Sequence, residues 1–232
     1  MHIAALYDVH GNLPALEAVL ADLEREGVDA IVFGGDLTWG PLPHETLALA
    51  RSVANASFVR GNCDRDPDEW ERSCLSDDEV AFLQSLPETV VQDGVLFCHA
   101  TPRSDDEVVT PATPDERLAE ILAGVEQRVV VAGHTHMQQN RFIDGIRFVN
   151  AGSVGLPYEG EVAAFWALLV DGEPKLRKTA LDPDRIADAF RKSGWPPAAR
   201  VLRENVLETV TREQATRELE GRASAIFVTP GG

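Results

Sequence analysis

"VVVAGHTH", residues 129–136, runs three valines and an alanine into a glycine, then sets two histidines one residue apart. In a helix, positions i and i+2 point to nearly opposite sides; in an extended segment they point to the same side. The apolar run predicts a buried strand broken at Gly133. His134 and His136 then leave the strand end side by side, aimed at a common target. A polar turn with one histidine capping a carbonyl is the plainer alternative, and the rest of the chain weighs against it.

Four other apolar runs end in the same manner. "YDVHGN" (7–12) carries Asp8 and His10, "FGGD" (33–36) carries Asp36, "VRGNCD" (59–64) carries Asn62 and "LFCH" (96–99) carries His99. In open α/β sheets, ligands collect at the carboxyl ends of strands. Taken singly, Asp8 or Asp36 reads as a turn or cap carboxylate, Asn62 as a turn residue, and His99 as a buried histidine bonded to backbone. Taken together they form seven donors at one sheet edge. Burying several carboxylates and imidazoles in one place without a cation is strongly unfavourable.

Four imidazoles with three carboxylate or carboxamide groups suit borderline ions: Mn²⁺, Fe²⁺, Ni²⁺ or Zn²⁺. Seven donors exceed one tetrahedral zinc site. They match two ions sharing a bridging carboxylate, the clamp used to attack phosphorus.

Between these strand ends the chain reads as helices. "NLPALEAVLADLEREG" has Asn12 as cap, Pro14 in the first turn, and Leu16, Val19, Leu20 and Leu23 on one face. "PHETLALARSV" follows the second strand, and "ASFVRGNCD" reads as a third. "SDDEVAFLQSL" opens with a Ser76–Glu79 capping box, and "TPDERLAEILAGV" offers Thr113 as cap with Glu116 as its acid. Three more strands, "QNRFIDG", "IRFVNAG" and "VAAFWALLV", complete an alternation that argues for α/β layers around buried sheet. After about residue 181 the texture changes to two or three helices, the last opening on a Thr211–Gln214 cap, and then the tail "VTPGG". The expected division is a domain over 1–181 and a helical appendage over 182–232 packed on it.

The 232 residues allow one large domain or two small ones. The longest apolar run, residues 162–170, falls far short of the roughly 20 residues that span a bilayer. The N-terminal stretch has neither a basic start nor a cleavage signature, so no secretory signal is expected. Three cysteines, Cys63, Cys74 and Cys98, make no disulfide framework and fit a reducing cytoplasm. A net charge of −17 repels polyanions and disfavours nucleic-acid partners, yet accommodates a cation-loaded site.

With the motifs assembled, the chain resembles the calcineurin-like metallophosphoesterases, in particular their compact bacterial and archaeal phosphodiesterase-like group. The family's ordered motifs stand here as "DVH" (8–10), "GD" (35–36), "GNCD" (61–64), His99 and "GHTH" (133–136). The resemblance covers roughly residues 1–180 and implies a four-layer α-β-β-α sandwich of two mixed sheets. It further implies that Asp8, His10 and His136 hold one metal, that Asn62, His99 and His134 hold the other, and that Asp36 bridges them. The implied cofactors are two divalent transition-metal ions, with Mn²⁺ favoured for activity. The implied reaction is attack of a metal-activated water on a phosphate ester, most simply a diester of a small molecule.

Two positions qualify the resemblance. Cys63 stands where many members carry a leaving-group histidine, a mark of the compact group. A thiol beside two cations would favour its thiolate and make a poor acid. Arg103, after "HATP", is a candidate phosphate clamp, against its plain reading as an exposed loop arginine. The rival activities are a protein serine/threonine phosphatase or other phosphomonoesterase, which the missing histidine disfavours. A binding scaffold without catalysis predicts eroded ligands, and none of the seven is eroded. The oligomeric state is left open, with a dimer among the options.

Overall fold

The computed structural model describes residues 1–226, so the tail "VTPGG" at 228–232 lies outside the described residues. The chain begins as expected. β1 (His2–Leu6) leads to α1 (Leu13–Glu26), where Asn12 accepts a hydrogen bond from the Ala15 N–H and Gly27 closes the helix in the left-handed region. β2 (Ala30–Phe33), α2 (Pro43–Ser52) and β3 (Ala56–Phe58) follow. Next come α3 (Asn62–Arg65), α4 (Glu69–Cys74) and α5 (Asp77–Gln84). The Ser76–Glu79 capping box at the head of α5 is present in both directions.

The second half supplies β4 (Thr89–Gln92), β5 (Val95–Cys98), α6 (Asp115–Leu122), β6 (Val129–Ala132), β7 (Gln139–Ile143) and β8 (Ile146–Asn150). A long hairpin, β9 (Ala163–Val170) with β10 (Glu173–Ala180), precedes α7 (Pro183–Ser193), α8 (Ala198–Val201), a π-helical turn (Leu202–Leu207) and α9 (Arg212–Ile226).

Two five-stranded mixed sheets result, in the orders β10-β9-β1-β2-β3 and β4-β5-β6-β8-β7. Strands β1, β2 and β3 run parallel, as do β5, β6 and β8; β9 and β4 pair antiparallel with them. Alternation along β1 explains the layering. Ile3 and Ala5, with Tyr7 just beyond, enter the cluster between the sheets beside Val95, Phe97 and Val131. Ala4 and Leu6 face the other way, onto Leu16, Val19 and Leu47 of α1 and α2. On the far side, Leu96, Val130 and Phe148 pack under Leu118, Ile121 and Leu122 of α6. Three apolar seams between four layers make the α-β-β-α sandwich.

Three local expectations need correction. "ASFVRGNCD" is strand only as far as Phe58; Asn62 opens α3, because the Asp64 carboxylate turns back to accept from the Gly61 N–H at 2.9 Å. Thr113 does not cap α6, which starts after Pro114. Its hydroxyl instead accepts from the Thr110 N–H and donates to Glu220 of α9. Strands β4 and β10 add to those expected, one at the edge of each sheet. The charges and Pro174 in "EPKLRKTA" hide β10 in the sequence, yet an edge is where a strand tolerates proline. The appended helices number three among the described residues, α7 to α9, and Thr211 with Gln214 does cap the last.

Candidate metal centre

All seven expected donors lie where the carboxyl ends of both sheets meet. Asp8 and His10 follow β1, Asp36 follows β2, and Asn62 lies beyond β3; His99 follows β5, and His134 and His136 follow β6. Asp8 Oδ1 stands 3.4 Å from His136 Nε2 and 3.9 Å from both His10 Nε2 and His99 Nε2. Asp36 reaches His10 through Oδ2 at 3.9 Å and His99 through Oδ1 at 3.5 Å. His99 Nε2 is 3.1 Å from Asn62 Oδ1, and the His99 and His134 rings are 5.2 Å apart. Two acidic groups, Asp8 as well as Asp36, therefore sit between the imidazoles. Asn62 and His134 are half-buried while the other five are buried, so the cluster opens on that side.

The backbone is shaped for this cluster. Asp8, His10, Asp36, His134 and His136 all have left-handed φ, between 50° and 67°. Three of the other left-handed residues, Asp93, Asp144 and Asp171, precede glycines in two-residue hairpin turns that require the conformation. His10 shares a turn with Gly11, closed by the Asn12 N–H on Val9 O at 3.1 Å, whereas Asp8, Asp36, His134 and His136 precede no such glycine. Strain of about 1–3 kcal/mol per residue persists only where surroundings over-determine it. Here they do: His10 N–H bonds Asp36 O, Gly133 N–H bonds His99 O, and His134 N–H bonds Asp8 Oδ2.

Main-chain carbonyls orient the rings. Nδ1 of His10 meets Trp39 O at 3.2 Å, that of His99 meets Gly34 O at 2.9 Å, and that of His136 meets Leu156 O at 2.6 Å. A carbonyl only accepts, so each Nδ1 carries the hydrogen and each neutral ring aims the Nε2 lone pair inward. His10 Nε2 and His136 Nε2 then face each other at 3.1 Å. Two lone pairs at that distance require a cation or a proton between them. Asp8 Oδ1, buried and making no hydrogen bond, is a second group that a cation satisfies. The donor set therefore fits divalent metal.

The titration behaviour follows from crowding. Burial opposes ionisation of Asp8, but His136 and the other imidazoles outweigh it and hold the carboxyl below its ordinary range. Asp36 is likewise lowered, by His99 and His10 against burial. Burial, then the charge of His136, lowers His10 to about 4; burial, then His99, lowers His134 to about 4. His99 and His136 are raised, the carboxylates prevailing over burial.

Cys63 lies half-buried at the rim, with its N–H on Asp36 Oδ1 at 2.9 Å. Burial and then the Asp36 charge push its thiol well up. The anions beside it, Asp36 first, favour the neutral thiol. The Arg103 guanidinium forks onto the Glu107 carboxylate at 2.8 and 2.6 Å, where Thr101 and Arg117 also donate. That pairing occupies the group expected as a phosphate clamp.

Several functional neighbours escape a reading of the sequence. Asp64 accepts from the N–H groups of Asp36, Leu37 and Gly61, tying the Asp36 and Asn62 loops together. Its place in "GNCD" is the available signal. Asp106, exposed, lies 3.8 Å from His134 Nε2. Tyr158 stacks on the His136 ring at 4.7 Å.

Residues 1–173 match the calcineurin-like phosphoesterase superfamily domain. Phosphodiesterase YfcE of Escherichia coli is 29% identical over 173 residues, 69% of this chain and 83% of that protein. An uncharacterised protein of Methanocaldococcus jannaschii is 26% identical over 228 residues, 82% of this chain and 90% of its own length. Among solved structures, a metallophosphoesterase from Sphaerobacter thermophilus superposes with a TM-score of 0.78 at 24% identity, covering 90% of this chain and 100% of that one. The protein belongs to the calcineurin-like phosphoesterase superfamily and is a metal-dependent phosphoesterase.

Proposed function

We propose that the protein hydrolyses a phosphodiester of a small molecule with two divalent transition-metal ions, Mn²⁺ serving best. The observation that carries this reading is the doubled set of donors about two central carboxylates. Asp8, His10 and His136 would hold one ion, and Asn62, His99 and His134 the other, with Asp36 between them. Such ions supply Lewis-acid polarisation of the phosphoryl oxygens and a water-derived nucleophile at neutral pH.

The chain's own contribution is pre-organisation. The carbonyls of Trp39, Gly34 and Leu156 set the tautomers of three rings, and Asp36 is held by the Cys63 N–H. A diester is favoured over a monoester because Cys63, with its thiol pushed up, is a weak proton donor to a poor leaving group. Similarity to a relative named phosphodiesterase points the same way. Three free cysteines support a place in the reducing cytoplasm. Among the described residues no helix is long and apolar enough to cross a membrane.

The test is elemental analysis after Mn²⁺ reconstitution, paired with turnover of bis(p-nitrophenyl) phosphate and p-nitrophenyl phosphate. Two ions per chain and a preference for the diester are expected. One ion at saturation, or preference for the monoester, contradicts the reading.

A further inference from the structure

Helix α9 lies beyond residues 1–173, the part that matches the superfamily domain, yet it grips the chain directly after a metal ligand. At its first residue, Arg212 Nη1 donates to both Glu159 oxygens at 2.7 and 2.8 Å, and Nη2 donates to Gln138 O at 3.0 Å. Glu159 in turn accepts from the Gln138 N–H at 2.6 Å. One ion pair therefore holds both main-chain polar groups of Gln138. The Gln138 side-chain amide donates to the carbonyls of Ala151, Trp166 and Arg177. One residue nearer the site, the buried Met137 sulfur accepts from the Thr216 hydroxyl of α9 at 3.6 Å.

These bonds bear on His136, two residues before Gln138. Its backbone is left-handed, with φ at 57°, and its carbonyl accepts from the Tyr158 N–H at 3.1 Å. Such a conformation needs surroundings that over-determine it. Residues 136–138 and 158–160 supply them as one paired segment. Tyr158 stacks on the His136 ring, Glu159 holds Gln138, and the Gly160 N–H bonds Val210 O just ahead of α9. The Glu159 side chain is 9% exposed and that of Arg212 37%, so this fork is not a loose surface pair. Farther along α9, Glu220 accepts from the hydroxyls of Thr110 and Thr113. The adjoining Val109 carbonyl accepts from Thr135, which stands between the two histidines.

We infer that Arg212 is a positioning residue for His136, acting through Glu159 and Gln138, so that the appended helix completes the metal centre from outside the matched domain. This inference rests on the reading of His136 as a ligand to one of two ions. Groups that orient a ligand from behind typically change metal affinity roughly 10–100-fold when removed.

Calorimetric titration of the metal-free full chain with Mn²⁺ tests it. Arg212→Met should weaken one of the two binding steps about tenfold or more and leave the other within about threefold of wild type. Glu159→Gln keeps an acceptor for the Gln138 N–H and removes the charge facing Arg212. It should weaken the same step about threefold or more, and it carries the test if Arg212→Met does not fold. In His136→Ala that step should be lost. Adding Arg212→Met to His136→Ala should leave the remaining step unchanged, because both substitutions act through one group. Arg185→Met, which breaks the exposed pair of Arg185 with Glu17, should move neither step. Wild-type affinity at both steps in the folded variant, or an equal loss with and without His136, overturns the inference. Intact binding of both ions by His136→Ala would instead overturn the ligand reading beneath it.

Discussion

A Cβ placed on Gly61 would stand 2.1 Å from Asp36 Oδ1 and 2.4 Å from the Asp36 nitrogen. The glycine of "GNCD" is therefore the space into which the central carboxylate fits. Gly61→Ala must displace Asp36, and misplacement of about 1 Å can cost roughly 100-fold in rate. We expect such a loss with the fold retained by circular dichroism. Turnover within about threefold of wild type would mean that Asp36 is not held where catalysis needs it.

Removing Asp36 itself tests the shared carboxylate. With Asp36→Ala, two cations would face each other across a lost anion. Activity should fall by at least about two orders of magnitude and metal should be lost on dialysis. Retention of more than about a tenth of turnover would shift the bridging role to Asp8, the other acid at the centre.

Cys63 is expected to be dispensable. Cys63→Ala should cost less than about tenfold, and Cys63→His should raise monoesterase activity by supplying an acid that typically contributes roughly 10²–10⁴-fold. Abolished turnover in Cys63→Ala with both metals bound would make the thiol a participant.

Glu71 gives a pH signature away from the ligands. Its carboxyl accepts from Thr38 Oγ1 and the Asp68 N–H, and burial raises it to about 7 from an ordinary 4.5. Between those values the folded chain binds more protons than the unfolded one, so this group's contribution to stability falls as pH rises. Glu71→Gln keeps the uncharged form at every pH. The drop in melting temperature from about pH 5 to about pH 8 should be smaller in the variant, by calorimetry. Parallel drops would place Glu71 in the ordinary range.

The strand ends were legible because each pairs an apolar run with a glycine and a donor, so that "FGGD" and "VAGHTH" announce both sheet and site. The sandwich followed from that alternation together with family motifs. Strand β4 was too short and β10 too charged to register against the helix-rich text around them. The left-handed φ of Asp8 or His136 leaves no mark in composition, since it is imposed by contacts with chain far away in sequence. The surroundings of Cys63 are hidden for a similar reason: Asp36 and Glu71, which act on it along with its chain neighbour Asp64, come from other segments.

The hydrogen bond from the His134 N–H to Asp8 joins positions 126 residues apart, and β1 meets β9 only once residue 163 exists. During synthesis from the N-terminus, a growing chain therefore carries Asp8, His10, Asp36 and Asn62 long before the imidazoles of the second sheet emerge. Such non-local closure is slow compared with helix formation. The full set of donors is thus a property of the finished polypeptide, since the first sheet is itself completed only by the last two strands.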